Sequence, residues 1–207
     1  MAESAQEWHR RTLDAISEDG VRPWDAAEFS TWPWESGGAV KSLADPAREP
    51  DRAGAGGRDC FICAKVAAQD RSYIAWEDEV AILGMPHPGT PLPFLAFLMP
   101  KRHADLGDLD DEQAARMGVL LTHLERAVTS TLDVPRVQVN RWGDGTEHLH
   151  WWVYGRPTGV GQLRGTFLSM WNMLLPLRPQ AEVRADVDAV VATLVEAVGG
   201  TAFPVGE

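Results

Sequence analysis

One long amphipathic helix, with short apolar strand-like segments before and after it, constrains the fold of this chain more than any other pattern. From Asp110 or Asp111 to about Thr131, apolar residues recur at helical spacing, and acidic residues at its start favour the helix dipole. The recurring apolar residues are Met117, Leu120, Leu121, Leu124 and Val128. This pattern predicts a helix that buries one face against a sheet.

The segments around this helix alternate or run apolar in the manner of strands. Three lie before it (Ser72–Trp76, Val80–Met85, Phe94–Met99) and two after it (Val137–Arg141, His148–Tyr154). Two further helices are predicted over Phe167–Leu175 and Val183–Val198, separated by prolines. The order strands, helix, strands, helices predicts an α+β fold, with an antiparallel sheet of about five strands packed on the long helix.

Length and charge narrow the classes of function. The chain has 207 residues, enough for one domain and an extension, and its formal net charge is −11. That charge opposes binding to nucleic acid or to an anionic membrane, and the apolar runs are shorter than the ~20 residues that cross a bilayer. We therefore expect a soluble, cytoplasmic protein with neither of these partners.

The first 57 residues differ in composition from the rest of the chain and are predicted to form an extension. They carry Trp8, Trp24, Trp32 and Trp34, and they end in a Pro- and Gly-rich stretch typical of a linker. A helix is predicted over about 4–17, with Trp8, Leu13 and Ile16 on one face, and Trp32-Pro33-Trp34 is expected to be extended. The tryptophans would cover the main domain (58–207) or a second subunit; alternatively, they form the working part of an interaction module.

The segment from Glu147 to Arg156 is the most informative for chemistry. On a strand, His148, His150 and Trp152 share one face, because side chains alternate between the two faces of a sheet. The alternative interpretation is that the two histidines simply lie on the polar face of an ordinary strand and have no chemical role.

Cys60 and Cys63 are the only cysteines, and they form one Cys-x-x-Cys motif. Such a pair is half of a metal site, a redox dithiol or a structural coincidence, and it fits a reducing compartment. Thiolates together with imidazoles suit tetrahedral Zn²⁺, but spacing alone does not name the other ligands.

Taken in order, four motifs resemble those of the histidine triad (HIT) superfamily of nucleotide hydrolases and transferases. They are Cys60-Phe61-Ile62-Cys63, Trp76-Glu77-Asp78-Glu79 with its apolar continuation, Phe97-Leu98-Met99-Pro100-Lys101-Arg102-His103, and His148-Leu149-His150-Trp151-Trp152-Val153. The likeness covers about Arg58 to Arg156. It implies the HIT fold, a homodimer formed through the long helices and edge strands, and a nucleotide or nucleotide conjugate as substrate.

The resemblance also implies roles for particular residues. His150 would be the nucleophile that attacks an α-phosphorus and forms a covalent nucleotidyl-histidine, with the backbone carbonyl after the motif holding the proton on its other ring nitrogen. Some bacterial members bind structural zinc through residues equivalent to Cys60, Cys63, His103 and His148. The alternative for these four is a pair of buried cysteines beside neutral histidines. No catalytic cofactor is implied.

The turn before this motif has two interpretations. Gly145 would let the backbone approach phosphates, Thr146 would supply a hydroxyl, and Asn140 resembles a sugar- or phosphate-binding asparagine of the family. Asp-Gly between two strands is, however, also an ordinary hairpin turn.

Two positions depart from the family pattern. Trp152 stands where the third histidine of the motif is expected, and Leu95 stands where relatives often have another histidine. Trp152 can donate its indole N–H to a phosphate oxygen but cannot shuttle a proton. One branch, resembling galactose-1-phosphate uridylyltransferase, has Gln at the third position and is a transferase. Both a hydrolase and a transferase therefore stay open, and the alternative is a zinc-stapled, catalytically degenerate nucleotide-binding or interaction protein.

Overall fold

The computed structural model of the chain describes residues 3–19 and 46–204. Within these residues, six strands form one antiparallel sheet with the order β4-β5-β3-β2-β1-β6. The strands are β1 (Ile74–Glu77), β2 (Ala81–Gly84), β3 (Phe94–Pro100), β4 (Arg136–Asn140), β5 (Trp151–Arg156) and β6 (Thr201–Ala202). The helices are α1 (Ala5–Asp19), α2 (Phe61–Ala67), α3 (Asp111–Thr131), α4 (Phe167–Leu174) and α5 (Gln180–Val198). The predicted α+β fold is confirmed, with the two-residue strand β6 added to the expected five.

Helices α3 and α5 cover one face of the sheet and enclose the main core. Asp110 caps α3 by accepting the Gln113 N–H at 2.8 Å, while the Gln113 side chain bonds back to the Asp110 N–H. Leu120 and Leu124 of α3 are almost fully buried against Val153 of β5 and other residues of this core. Burial of each such side chain contributes about 1.5–3 kcal/mol. The predicted helix is therefore confirmed at both ends.

Helices α1, α2 and α4 lie against the opposite face, where β3 and β5 present aromatic residues. Trp8 of α1 is 2% exposed, and its Nε1–H donates to the Pro91 carbonyl at 2.6 Å. It packs with Leu95 and Tyr154. The prediction that Leu13 shares the face of Trp8 is wrong, because Leu13 is 50% exposed and the buried stripe of α1 continues through Thr12 instead.

The main departures from the predicted elements are at β5, α5 and α2. Strand β5 begins at Trp151 rather than His148, because the preceding segment bonds to the loop after β3: the Leu149 N–H donates to the Ala104 carbonyl at 2.7 Å. Helix α5 begins three residues earlier than predicted, at Gln180. The short helix α2, which starts just after Cys60, was not predicted at all.

The segment 46–57, predicted as a linker, contacts the loop before β5. Ala53 accepts the Glu147 N–H at 3.0 Å and donates its own N–H to the Gly145 carbonyl at 2.9 Å. The predictions for Trp24, Trp32 and Trp34 fall outside the described residues, and the domain boundary at residue 57 stays a prediction. None of the helices described here is both long and apolar enough to span a membrane.

Candidate functional site

Four side chains from separate parts of the chain form one compact cluster. Cys60 is the N-cap residue of α2, and Cys63 lies in the first turn of that helix. His103 follows β3, and His148 precedes β5. One potential ligand atom from each residue lies within 4.8 Å of the other three. The structure thus brings together all four residues that the resemblance implies as zinc ligands.

The spacing of these atoms matches a tetrahedral metal site. The Cys60 Sγ lies 3.4 Å from the His148 Nδ1, and the Cys63 Sγ lies 3.5 Å from the same nitrogen and 3.6 Å from the His103 Nδ1. Zinc bonds of about 2.3 Å to sulfur and about 2.0 Å to nitrogen, at a tetrahedral angle, place the sulfur and the nitrogen about 3.5 Å apart. The donor set and the spacing therefore both fit Zn²⁺.

Hydrogen bonds from outside the cluster orient the two imidazoles. The His148 Nε2 lies 2.8 Å from the Pro100 carbonyl oxygen, which fixes the proton on that nitrogen. The His103 Nε2 lies 3.4 Å from the Glu147 Oε1. Both rings consequently turn Nδ1 toward the thiols.

The protonation states of the cluster depend on burial. Desolvation lowers the pKa of His148, which keeps its imidazole neutral and able to act as a ligand. Desolvation, together with the adjacent Cys60 thiol, raises the pKa of Cys63 to about 11. A bound divalent cation would supply the positive charge that favours the Cys63 thiolate.

The cluster also lies against the segment before α2. Gly54 adopts φ +76°, and a Cβ at this position would lie 3.1 Å from the Cys60 Cβ. Only glycine combines this backbone conformation with such close contact.

His150 lies beside the cluster and lines a cavity of about 190 Å³. Its Nδ1–H donates to the His148 carbonyl at 2.8 Å, which leaves the lone pair of Nε2 available. The prediction that a carbonyl after the motif accepts this hydrogen bond is wrong, because the acceptor is the carbonyl two residues before His150. His148 thereby contributes its ring to the cluster and its carbonyl to the orientation of His150.

The walls of the His150 cavity are mainly apolar. Its other lining residues are Phe61, Ile62, Tyr73, Phe97, Met99, Thr146 and Trp152. Thr146 and Trp152, two of the predicted substrate contacts, therefore share the cavity with His150. Asn140 pairs with Trp152 across β4 and β5 but does not line the cavity, and Gly145 is exposed, with its carbonyl bonded to Ala53.

Trp152 is held by aromatic neighbours and leaves His150 uncovered. Its ring packs edge-on against Phe97 at 4.6 Å and stacks on Tyr154 at 5.7 Å between centroids. The His150 ring lies 6.2 Å away and is tilted by 60°. The Trp152 Nε1–H has no hydrogen-bond partner within the described part of the chain, so it is a donor that a ligand can use.

A charged network beside the loop that precedes β5 was not predicted from the sequence. Asp105 accepts hydrogen bonds from Arg52 and Arg141, each at 2.5 Å, and Arg52 also reaches the Gly143 carbonyl at 3.1 Å. Because Arg52 comes from the predicted linker, only three-dimensional proximity identifies its role. These bonds tie residues 52 and 53 to the loop that carries Thr146.

Comparison with known proteins adds information at the level of fold. No protein-family model matches the chain, and a search of curated proteins gives no significant match. Among solved structures, a hypothetical histidine triad nucleotide-binding protein from Sulfolobus tokodaii aligns with a TM-score of 0.52 and 13% identity, over 68% of this chain and 97% of its own.

Two further structures align over similar lengths. A zinc-bound histidine triad family protein from Mycobacterium smegmatis aligns with a TM-score of 0.48 and 21% identity, over 67% of this chain and 94% of its own. A HIT-like protein from Bartonella henselae, described as involved in cell-cycle regulation, aligns with a TM-score of 0.47 and 19% identity, over 63% and 93%. The sheet topology and the alignment with the Sulfolobus protein together show that this chain has the histidine triad fold.

Proposed function

We propose that the chain is a HIT-type nucleotidyl hydrolase or transferase that cleaves a phosphoramidate or phosphoanhydride at an α-phosphate. The observation that carries this proposal is the orientation of His150: Nδ1 donates to the His148 carbonyl, and the ring lines a cavity. A neutral imidazole held in this tautomer is a nucleophile at neutral pH without a separate base. The nucleotide-binding description of the Sulfolobus protein that shares the fold is consistent with this class of substrate.

The reaction would proceed in two displacements. The His150 Nε2 attacks the α-phosphorus, a P–N bond to the imidazole forms, and the bond to the leaving group breaks with its electron pair on that group. Water or another acceptor then attacks phosphorus, loses its proton to solvent, and releases His150 with the P–N bond broken. In both steps the proton stays on the His150 Nδ1, which donates it to the His148 carbonyl.

Trp152 changes how the phosphate is held. Trp152 and Thr146 both line the His150 cavity, and their indole N–H and hydroxyl would donate to the non-bridging phosphate oxygens. Because indole cannot protonate a leaving group at neutral pH, the departing amine or phosphate would take its proton from water. Leaving groups that need little protonation should therefore react fastest.

We further propose that Cys60, Cys63, His103 and His148 bind one structural zinc ion. The ion would cross-link α2 to the segments after β3 and before β5, which stabilises the backbone that orients His150. None of the four side chains would take part in the reaction.

The expected homodimer and cytoplasmic location are also proposals. Strand β4 lies at one edge of the sheet, where a second copy would pair with it, and Val139 on this strand is 37% exposed. The two cysteines are free thiols, as a reducing compartment would keep them. Light scattering would decide the dimer: a monomer mass at micromolar concentration contradicts it.

Turnover tests the enzymatic proposal. Wild-type protein should hydrolyse adenosine or uridine 5′-phosphoramidates, and His150→Ala should lose at least about a thousandfold in kcat because it removes the nucleophile. His123→Ala, on the distant helix α3, is the matched control and should keep full activity. Equal activity in His150→Ala refutes the role of His150, whereas binding without turnover in the wild type favours the degenerate nucleotide-binding alternative.

A further inference from the structure

A second cavity adjoins the His150 cavity on the same face of the sheet. It has a volume of about 580 Å³ and shares four wall residues with the first cavity: Phe61, Tyr73, Phe97 and Trp152. The two cavities therefore meet at this aromatic junction.

The His150 cavity is too small to hold the whole proposed substrate without a neighbouring cavity. Sites for drug-sized ligands and cofactors usually have volumes of about 300–1,000 Å³. At about 190 Å³, the His150 cavity alone is too small for a nucleoside, its phosphate and a leaving group together. Either the nucleoside or the leaving group, the two groups attached to the phosphorus, must therefore extend across the junction into the second cavity.

Part of the wall of the second cavity comes from residues that follow the region of likeness to HIT proteins. Helix α4 and the residues that follow it contribute Met173, Leu174 and Leu177, and β3 contributes the buried Leu95. Leu95 and Trp152 are the two positions where histidine is expected, and both of them line this cavity. The two departures from the motif thus make one apolar surface.

No Asp, Glu, Lys or Arg is among the residues that line the second cavity in the described parts of the chain. Its exposed rim includes His87, and one amide from α4 faces it. The Thr90 hydroxyl accepts the Leu92 N–H at 3.1 Å and so donates its proton to the Asn172 Oδ1 at 2.6 Å. Among the residues that the structure describes, the Asn172 side-chain N–H groups have no acceptor, so a ligand would supply one.

We propose that this second cavity, which we name the α4 pocket, binds the leaving group of the substrate, and that this group is aromatic or aliphatic and uncharged. The proposal rests on the proposed function, because the reacting phosphorus would lie at His150. A polyphosphate or a second nucleotide would need cationic partners that this lining does not provide. The Trp152 and Leu95 replacements thereby select an apolar leaving group instead of a phosphate chain.

Binding to the inactive His150→Ala protein tests the α4 pocket independently of turnover. The probes are two amides each of adenosine 5′-monophosphate and uridine 5′-monophosphate, one with methylamine and one with 2-(1-naphthyl)ethylamine, and calorimetry gives the Kd values. Burial of the naphthyl ring should make that probe bind at least about tenfold more tightly than the methylamide.

A charge in the α4 pocket should remove this preference. Leu177→Asp, at a position already 39% exposed, should bring the two Kd values within about threefold, because the carboxylate must be desolvated beside the ring. Leu13→Asp on α1, at a leucine that is 50% exposed and lines neither cavity, is the matched control and should keep the preference.

The outcomes separate the two proposals. Equal affinity of the two probes, including no measurable binding of either, overturns the α4 pocket, as does an unchanged preference in Leu177→Asp. A naphthyl preference that depends on Leu177, in a protein whose wild type turns over neither amide, supports the pocket and overturns the enzymatic function alone.

Discussion

Glu147 should set the zinc affinity of the cluster without being a ligand. Its Oε1 lies 3.4 Å from the His103 Nε2, on the side of the ring that faces away from the thiols. A hydrogen bond from the Gly56 N–H and the contact with His103 lower the pKa of Glu147, so it is ionised at neutral pH. A carboxylate at this position makes the imidazole a stronger donor to a metal and holds its orientation.

The size of the effect follows from which bonds each variant keeps. Loss of such a partner typically weakens metal binding by about 10–100-fold. Glu147→Gln keeps an oxygen that can accept the Gly56 N–H, which lies 2.7 Å away, so we expect the lower end of that range. Glu147→Ala loses both contacts, and we expect the upper end.

Competition with a chromophoric chelator measures the zinc Kd of each variant. Glu125→Gln, an exposed carboxylate on α3, is the matched control and should bind zinc as the wild type does. Values for both Glu147 variants within about twofold of the control would refute the reasoning, since the carboxylate would then contribute nothing to the His103 donor.

Three further predictions concern the surroundings of His150. Burial alone would raise the pKa of Asp105, but hydrogen bonds from Arg52 and Arg141 lower it from 3.8 to about 2. The stability that this ionised group contributes is present above about pH 4 and is lost as the pH falls toward 2, so urea unfolding of Asp105→Asn should show a flatter acid limb than the wild type. Trp152→Phe should lower kcat/KM by about 10–100-fold through loss of one N–H donor to a charged phosphate. Steady-state kinetics, with an unchanged far-UV circular dichroism spectrum as the check on folding, would establish it. Removal of metal by a strong chelator should lower the melting temperature of the wild type, and re-addition of zinc, but not magnesium, should restore it.

Local patterns were sufficient to predict most of the fold. Helix α3 has a long apolar period and acidic residues at its start, and both are properties of the segment itself. Strand β3 is an apolar run stopped by Pro100, and its bounds were predicted to within one residue. Helix α2 was missed because its seven residues are too few to show a helical period.

The site depends on contacts that no local pattern records. The backbone around His148 and His150 is not part of β5, because Leu149 bonds to Ala104 in a loop distant in sequence. The contribution of Arg52 and the contact of Glu147 with His103 likewise exist only after folding. The residues of the metal cluster could be named only through likeness to a known family.

The central claim, that His150 is a nucleophile facing a phosphorus-binding cavity, is tested most directly by intact-protein mass spectrometry on rapidly quenched reactions. With a nucleoside 5′-phosphoramidate, we predict a transient mass gain of one nucleotidyl group, located on His150 by peptide mapping and absent in His150→Ala. Turnover without an adduct at any quench time, or an adduct that persists in His150→Ala, would contradict the account.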